Sequence, residues 1–222
     1  MIDFSVLDDL EEIKKIDPKD MLGVVRDFPE MLERAAAFAK TVNIQREDGI
    51  KGVVFSGMGG SAISGDIARS FVEASSEAPI IVNRGYTLPK YINKEYVFIA
   101  ISYSGNTEET LSSLRDAEVK GLKIIAISSG GKLTQIAEEK GYPLISLPKG
   151  FQPRAALPVI LASALVVLEK LGVQREISTE INEAVKLLKR ARDEHMKERR
   201  ISAVKQLAQR LHGKIPLIWA SL

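Results

Sequence analysis

Five short apolar runs, most of them separated by stretches with helical spacing, occupy residues 51–146 and leave few folds open. They are Val53-Val54-Phe55, Pro79-Ile80-Ile81-Val82, Tyr96-Val97-Phe98-Ile99-Ala100-Ile101, Lys123-Ile124-Ile125-Ala126-Ile127 and Pro143-Leu144-Ile145-Ser146. None alternates polar with apolar, which is the signature of strands covered on both faces. Helical patterns lie between them at 62–72, 107–120 and 133–140. The connections are too long for tight hairpins and long enough for crossovers. These runs predict an α/β domain, a doubly wound parallel five-stranded sheet flanked by helices.

The flanks read as helical. Ile13, Ile16, Met21, Val24, Val25, Phe28, Met31 and Leu32 fall mostly at three- and four-residue spacings, and Pro18 and Asp20 divide residues 5–43 into two helices, the second starting near Asp17 or Pro18. Pro158 to Leu171 is strongly apolar and is expected in the core or at a dimer contact. Residues 177–211 predict one long or two shorter amphipathic helices. From Val185 to Arg210 there are nine Lys or Arg against three acids, read as a solvated helix face. After Gly213-Lys214, the run Ile215-Pro216-Leu217-Ile218-Trp219-Ala220-Ser221-Leu222 resembles the opening strand of another α/β unit. The expected division is 1–45 N-terminal helices, 46–172 the α/β domain, 173–212 a helical linker and 213–222 a first strand.

Composition narrows the function classes. With 222 residues the chain can bury a core without staples. Cysteine is absent, so disulfides, zinc thiolates and a cysteine nucleophile are excluded, and a cytoplasmic location is expected. No apolar run approaches the roughly 18 residues of a membrane span, and MIDFSVLDDLEEIKK is no signal peptide. Net charge is 31 − 29 = +2, which gives no footprint for nucleic acid. His195 and His212 are far apart without neighbouring ligand residues, so no metal site is expected.

Two strand-to-helix loops carry the chemistry. In Ser56-Gly57-Met58-Gly59-Gly60-Ser61-Ala62, glycines let backbone approach a ligand and free N–H groups at the helix start favour an anion. In Ser102-Tyr103-Ser104-Gly105-Asn106-Thr107-Glu108-Glu109-Thr110, three hydroxyls accompany the Gly105-Asn106 amides, and the two acids suit the positive end of a helix dipole. A tight turn without ligand is the plain alternative for the first loop, and N-capping is the alternative for the second. Open α/β sheets bind ligands at the C-terminal ends of their strands. Two such loops on one crevice point to a small, hydroxyl-rich phosphorylated ligand such as a sugar phosphate. Gly57-x-Gly59-x-x-Ala62 also fits a relaxed dinucleotide fingerprint. However, the second strand ends Val82-Asn83-Arg84 without the acid that reading wants, leaving Arg84 for NADP. No Walker-type phosphate loop is present.

Together with Pro153-Arg154-Ala155-Ala156-Leu157-Pro158, the loops Gly57-Met58-Gly59-Gly60-Ser61 and Ser102 to Thr110 resemble the bifunctional phosphoglucose/phosphomannose isomerases, a branch of the sugar isomerase (SIS) domain superfamily. The resemblance covers about residues 20–222 and implies a flavodoxin-like SIS domain followed by a second one, in a homodimer. It implies interconversion of glucose 6-phosphate or mannose 6-phosphate with fructose 6-phosphate through a cis-enediol, without metal or organic cofactor. It assigns the phosphate to Ser102, Ser104 and Thr107 beside Gly105 and Asn106, the sugar to Gly59, Gly60 and Ser61, and enediolate stabilisation to Arg154. An always-charged fork suits a developing oxyanion. The family's general base, a Glu of the second domain, has no match among this chain's acids. The chain is therefore expected to be the N-terminal, phosphate-binding part of such an enzyme. A stand-alone sugar-phosphate sensor and an NADP-binding oxidoreductase half are the alternatives.

Overall fold

The computed structural model describes residues 7–76, 78–196 and 202–219. Three helices, α1 (Leu10–Ile16), α2 (Met21–Arg26) and α3 (Phe28–Thr41), precede the sheet. The expectation of two helices fails at one extra break. Pro18 interrupts the first run, and the Asp17 carboxylate accepts the N–H groups of Met21 and Leu22 at 2.8 and 2.7 Å, while Asp20 caps α2. A second break falls at Asp27, which closes α2, just before Pro29 in the first turn of α3, where a missing N–H costs nothing.

The sheet comprises β1 (Gly52–Ser56), β2 (Ile80–Asn83), β3 (Tyr96–Ser102), β4 (Lys123–Ser128) and β5 (Leu144–Ser146), all parallel, in the order β2-β1-β3-β4-β5. Interleaved helices are α4 (Gly59–Val72), α5 (Glu108–Val119) and α6 (Gly131–Lys140). A 3-10 turn (Pro153–Ala156), α7 (Leu157–Leu171), α8 (Ile177–His195) and α9 (Ala203–Leu211) complete the described chain. This is the doubly wound parallel sheet that the five runs predict, in the flavodoxin-like order that the resemblance implies.

The packing explains why the runs do not alternate. Val53 and Phe55 of β1, and Val97, Ile99 and Ile101 of β3, face a core shared with α3, α4 and α7. Val54, Phe98 and Ala100 face the opposite core, under α5 and α6. Both faces are dry, so both positions of the two-residue period are apolar. Gly65 of α4 lets the helix close on β1, where a Cβ would lie 3.0 Å from that of Phe55.

Pro158 to Leu171 proves to be core. Val159, Ile160, Val166, Val167 and Leu168 are buried by this chain's own α3 and α4, so that face is not left for a dimer contact.

Residues 28–185 form one compact unit containing the whole sheet; 1–27 with 186–222 form another. Within the latter, Lys205 is ion-paired to Asp8, and Arg192 donates to the Arg26 carbonyl at 3.2 Å. Ile215–Trp219, the described part of the strand expected at 213–222, pairs with no described strand; extended backbone needs such a neighbour for its N–H and C=O groups. Its Ile215 and Trp219 are 97% and 86% exposed. Ala220-Ser221-Leu222, residues 197–201 of the basic stretch and the first six residues of the N-terminus lie outside the described residues. Among the described residues no helix is long and apolar enough to cross a membrane.

Candidate functional site

The strand order reverses between β1 and β3: the chain leaves β1 for β2 on one side and returns to β3 on the other. That switch point is where the loops diverge and a crevice opens at the C-terminal strand ends. The two loops singled out in the sequence stand there, at the ends of the paired strands β1 and β3.

The glycine loop runs from Gly57 to the first turn of α4. Gly57 donates to the Asn83 carbonyl at 3.2 Å, and a Cβ there would lie 2.9 Å from the Ile101 carbonyl oxygen, so the loop lies hard against the end of β3. Gly59 has φ +49° and open space on its Cβ side. Met58, at the N-cap, supplies no side-chain cap to α4. Ser61 is buried in the first turn. The helix thus begins three residues before the expected Ala62, on glycines.

The hydroxyl loop is built differently. Ser102 is buried and its Oγ lies 2.8 Å from the Thr107 Oγ1, while accepting the Gly105 N–H at 3.0 Å. The exposed Ser104 accepts the Asn106 N–H on its Oγ at 3.2 Å. Thr107 occupies the N-cap of α5 but makes no capping bond, because its hydroxyl is turned to Ser102. Simple N-capping therefore does not account for this threonine. The first-turn N–H groups of α4 and α5, like those of α7, lack a side-chain cap, whereas Asp9, Asp20 and Ser202 cap α1, α2 and α9. Uncapped helix starts aimed at one crevice are suited to an anion.

Asn106, expected among the ligand contacts, is engaged elsewhere. Its Oδ1 accepts the Lys132 N–H at 3.1 Å, capping α6 from a distance, and its Nδ2 donates to the Ser104 carbonyl at 3.3 Å. Gly105 has φ +71°, and a Cβ there would come within 1.7 Å of the Gly130 carbonyl oxygen. Leu133 N–H also bonds the Gly105 carbonyl, at 2.9 Å. Asn106 and Gly105 thus join the hydroxyl loop to the β4–α6 connection.

Arg154 lies exposed in the 3-10 turn Pro153–Ala156. This turn abuts the glycine loop: a Cβ on Gly60 would lie 3.2 Å from the Pro153 carbonyl oxygen and 3.9 Å from the Arg154 Cα. Residues nearly a hundred positions apart in the chain thus meet at Gly60. Arg84, the cation that an NADP reading would use, is ion-paired to Asp66 of α4. Glu108 and Glu109 stand in the first turn of α5; the Glu109 charge beside it, with burial and the Glu108 charge, holds the Tyr86 phenol above its ordinary pKa.

Tyr103 also belongs to this loop. It is 8% exposed, and its hydroxyl donates to the Pro148 carbonyl and accepts the Phe151 N–H, both at 2.9 Å. Its own carbonyl takes the Ser129 N–H and hydroxyl. An aromatic ring between two serines in a polar loop was the sequence signal for these contacts.

Residues 50–147 match the SIS domain family. Over 203 residues, 90% of this chain and 60% of the relative, the sequence is 43% identical to a bifunctional phosphoglucose/phosphomannose isomerase of Caldicellulosiruptor bescii. A protein of the same description from Aquifex aeolicus is 41% identical over 77% of this chain and 50% of its own length. Among solved structures, the C-terminal domain of a glucosamine-fructose-6-phosphate aminotransferase from Francisella tularensis superposes with a TM-score of 0.55 at 17% identity, covering 78% of this chain and 54% of that one, and shares the fold. The chain spans 60% and 50% of the two curated relatives' lengths.

Proposed function

From a chain 43% identical over 203 residues to a bifunctional phosphoglucose/phosphomannose isomerase, and whose residues 50–147 match the SIS domain, we propose a phosphate-binding half-site for aldose–ketose isomerisation of a sugar 6-phosphate. The supporting observation is the meeting of two uncapped helix starts and a guanidinium-bearing turn at one switch-point crevice. In this reading Ser102, Ser104 and Thr107 hold the phosphate. Gly59, Gly60 and Ser61 line the sugar, and Arg154 faces its C1–C2 end. Gly105 and Asn106 hold the hydroxyl loop in shape rather than touch the ligand.

The substrates are glucose 6-phosphate, mannose 6-phosphate and fructose 6-phosphate. After ring opening, a base removes the C2 proton of the aldose and the C1 oxygen is protonated, giving the cis-enediol. Return of a proton to C1 with loss of the O2 proton gives the ketose. Charge builds on oxygen in both halves, and a fixed guanidinium lowers that barrier most where water is excluded. A homodimer in the cytoplasm completes the reading; its contact is a surface other than the buried α7.

Calorimetric titration with fructose 6-phosphate tests it. Saturable binding that Ser104→Ala with Thr107→Ala weakens is the expected result. A coupled assay with glucose 6-phosphate and mannose 6-phosphate then separates an isomerase from a sensor, which binds without turnover. A rise in Tm with NADPH but not with fructose 6-phosphate overturns the assignment.

A further inference from the structure

The two loops at the strand ends are not independent, and Tyr103 connects them. Along β3 the side chains divide by parity. Val97, Ile99, Ile101 and Tyr103 belong to the core under α3 and α7, whereas Phe98 and Ala100 belong to the opposite one. Ser102 continues the second series and turns to Thr107; Tyr103 continues the first. One strand end therefore presents a hydroxyl to the ligand loop and, one residue later, an aromatic ring to the opposite side.

That ring reaches the segment leading to Arg154. Between Leu147, whose N–H bonds the Ser128 carbonyl at 2.8 Å, and Gln152, whose carbonyl takes the Ala155 N–H at 2.8 Å, the chain has neither helix nor strand. Across this stretch the Tyr103 hydroxyl takes both a carbonyl and an N–H, from Pro148 and Phe151. Two residues further on, Pro153 rests on Gly60. The arginine turn is thus held at one side by the glycine loop and at the other by the residue between two phosphate-loop serines. A buried hydroxyl satisfied on both its donor and acceptor sides has one orientation, and a small displacement of Tyr103 is passed to Phe151.

We propose that Tyr103 is a positioning residue that ties the state of the hydroxyl loop to the placement of Arg154, so that the phosphate and the oxyanion end of the ligand are gripped cooperatively. The proposal rests on the sugar-phosphate reading above. Phosphate drawn onto Ser102 and Ser104 steadies Tyr103 from both sides along the chain, and Tyr103 steadies the segment carrying the guanidinium. Tyr103 itself touches neither.

The test compares two ligands on Tyr103→Phe, which keeps the buried ring and removes the two hydrogen bonds. Inorganic phosphate reports on the hydroxyl loop alone. A five-carbon aldonic acid 5-phosphate carries a carboxylate where enediolate charge develops, and so also reports on Arg154. Expected is a loss of about tenfold for the aldonate phosphate, with phosphate unchanged within about twofold. In an Arg154→Ala background the same substitution should alter aldonate affinity less than about twofold, since the group it positions is gone. Amide exchange at Phe151, slowed by phosphate in the wild type, should be fast and indifferent to phosphate in Tyr103→Phe. Equal weakening of both ligands, or a full effect without Arg154, means general structural support and overturns the proposal. Failure of the wild type to bind either ligand overturns the sugar-phosphate reading itself.

Discussion

The glycine loop after β1 and the hydroxyl loop after β3 stand on neighbouring strands, yet they are built on opposite principles. Gly59 has open space where a Cβ would stand. The hydroxyl loop is closed on itself, through Ser102, Thr107 and Gly105, and fastened to the next connection through Asn106 and Gly105. The first leaves room at Gly59, between Gly57 and Gly60, which close on β3 and on the arginine turn, and the second holds position throughout. A phosphate needs donors fixed in advance, because ordering them on binding costs affinity. A sugar ring needs backbone that can approach closely, which glycine permits.

Substitutions can break this contrast. Gly105→Ala should have the largest effect: positive φ combines with a Cβ 1.7 Å from a carbonyl oxygen. A cost of about 3–5 kcal/mol is expected, read as a fall in Tm of about 10 °C and loss of fructose 6-phosphate binding. Next, Ser104→Ala with Thr107→Ala should weaken fructose 6-phosphate binding by about 2–3 kcal/mol in titration calorimetry while Tm moves little, since Ser104 is exposed and Thr107 does not cap its helix. Gly59→Ala should cost only about 1 kcal/mol in denaturant unfolding, the cost of left-handed backbone in open space. If Gly59→Ala proved as damaging as Gly105→Ala, the roomy and the fixed loop would not differ as described.

The smallest effect concerns pH. Tyr142, with its phenol held above its usual value by burial, then by its hydrogen bond to Glu118 and that residue's charge, binds its proton more tightly folded than unfolded. Its contribution is complete below the ordinary tyrosine pKa of about 10 and is lost as pH rises from there through the folded value. Tyr142→Phe should flatten that alkaline limb of unfolding without touching ligand binding, which sets the α6 region apart from both loops.

Legibility in the sequence followed how local each cause was. The five runs marked the strands because burial on both faces leaves no polar position to blur them. The two strand-to-helix loops stood out because glycines and hydroxyls cluster within single turns. Helix starts were less so: α4 begins on glycines, and α2 is separated from α3 by a cap at Asp27 that resembles any surface aspartate. That Asn106 also fastens the loop to α6 was not legible, because its partner, the Lys132 amide, is 26 residues away. The strand expected at 213–222 has the apolar content of one, but its described part has no strand beside it among the described residues.

What this sequence determined alone was the order and type of most elements and the residue types clustered in its two strand-to-helix loops, since each rests on neighbours along the chain. Only the tertiary structure decided which loops share a crevice, that α7 is core, that Gly60 meets the Arg154 turn, and that Tyr103 spans to Phe151. Those are contacts at long sequence separation, formed when the strand order reverses between β1 and β3, and no local pattern of residues encodes the distance between two strand ends.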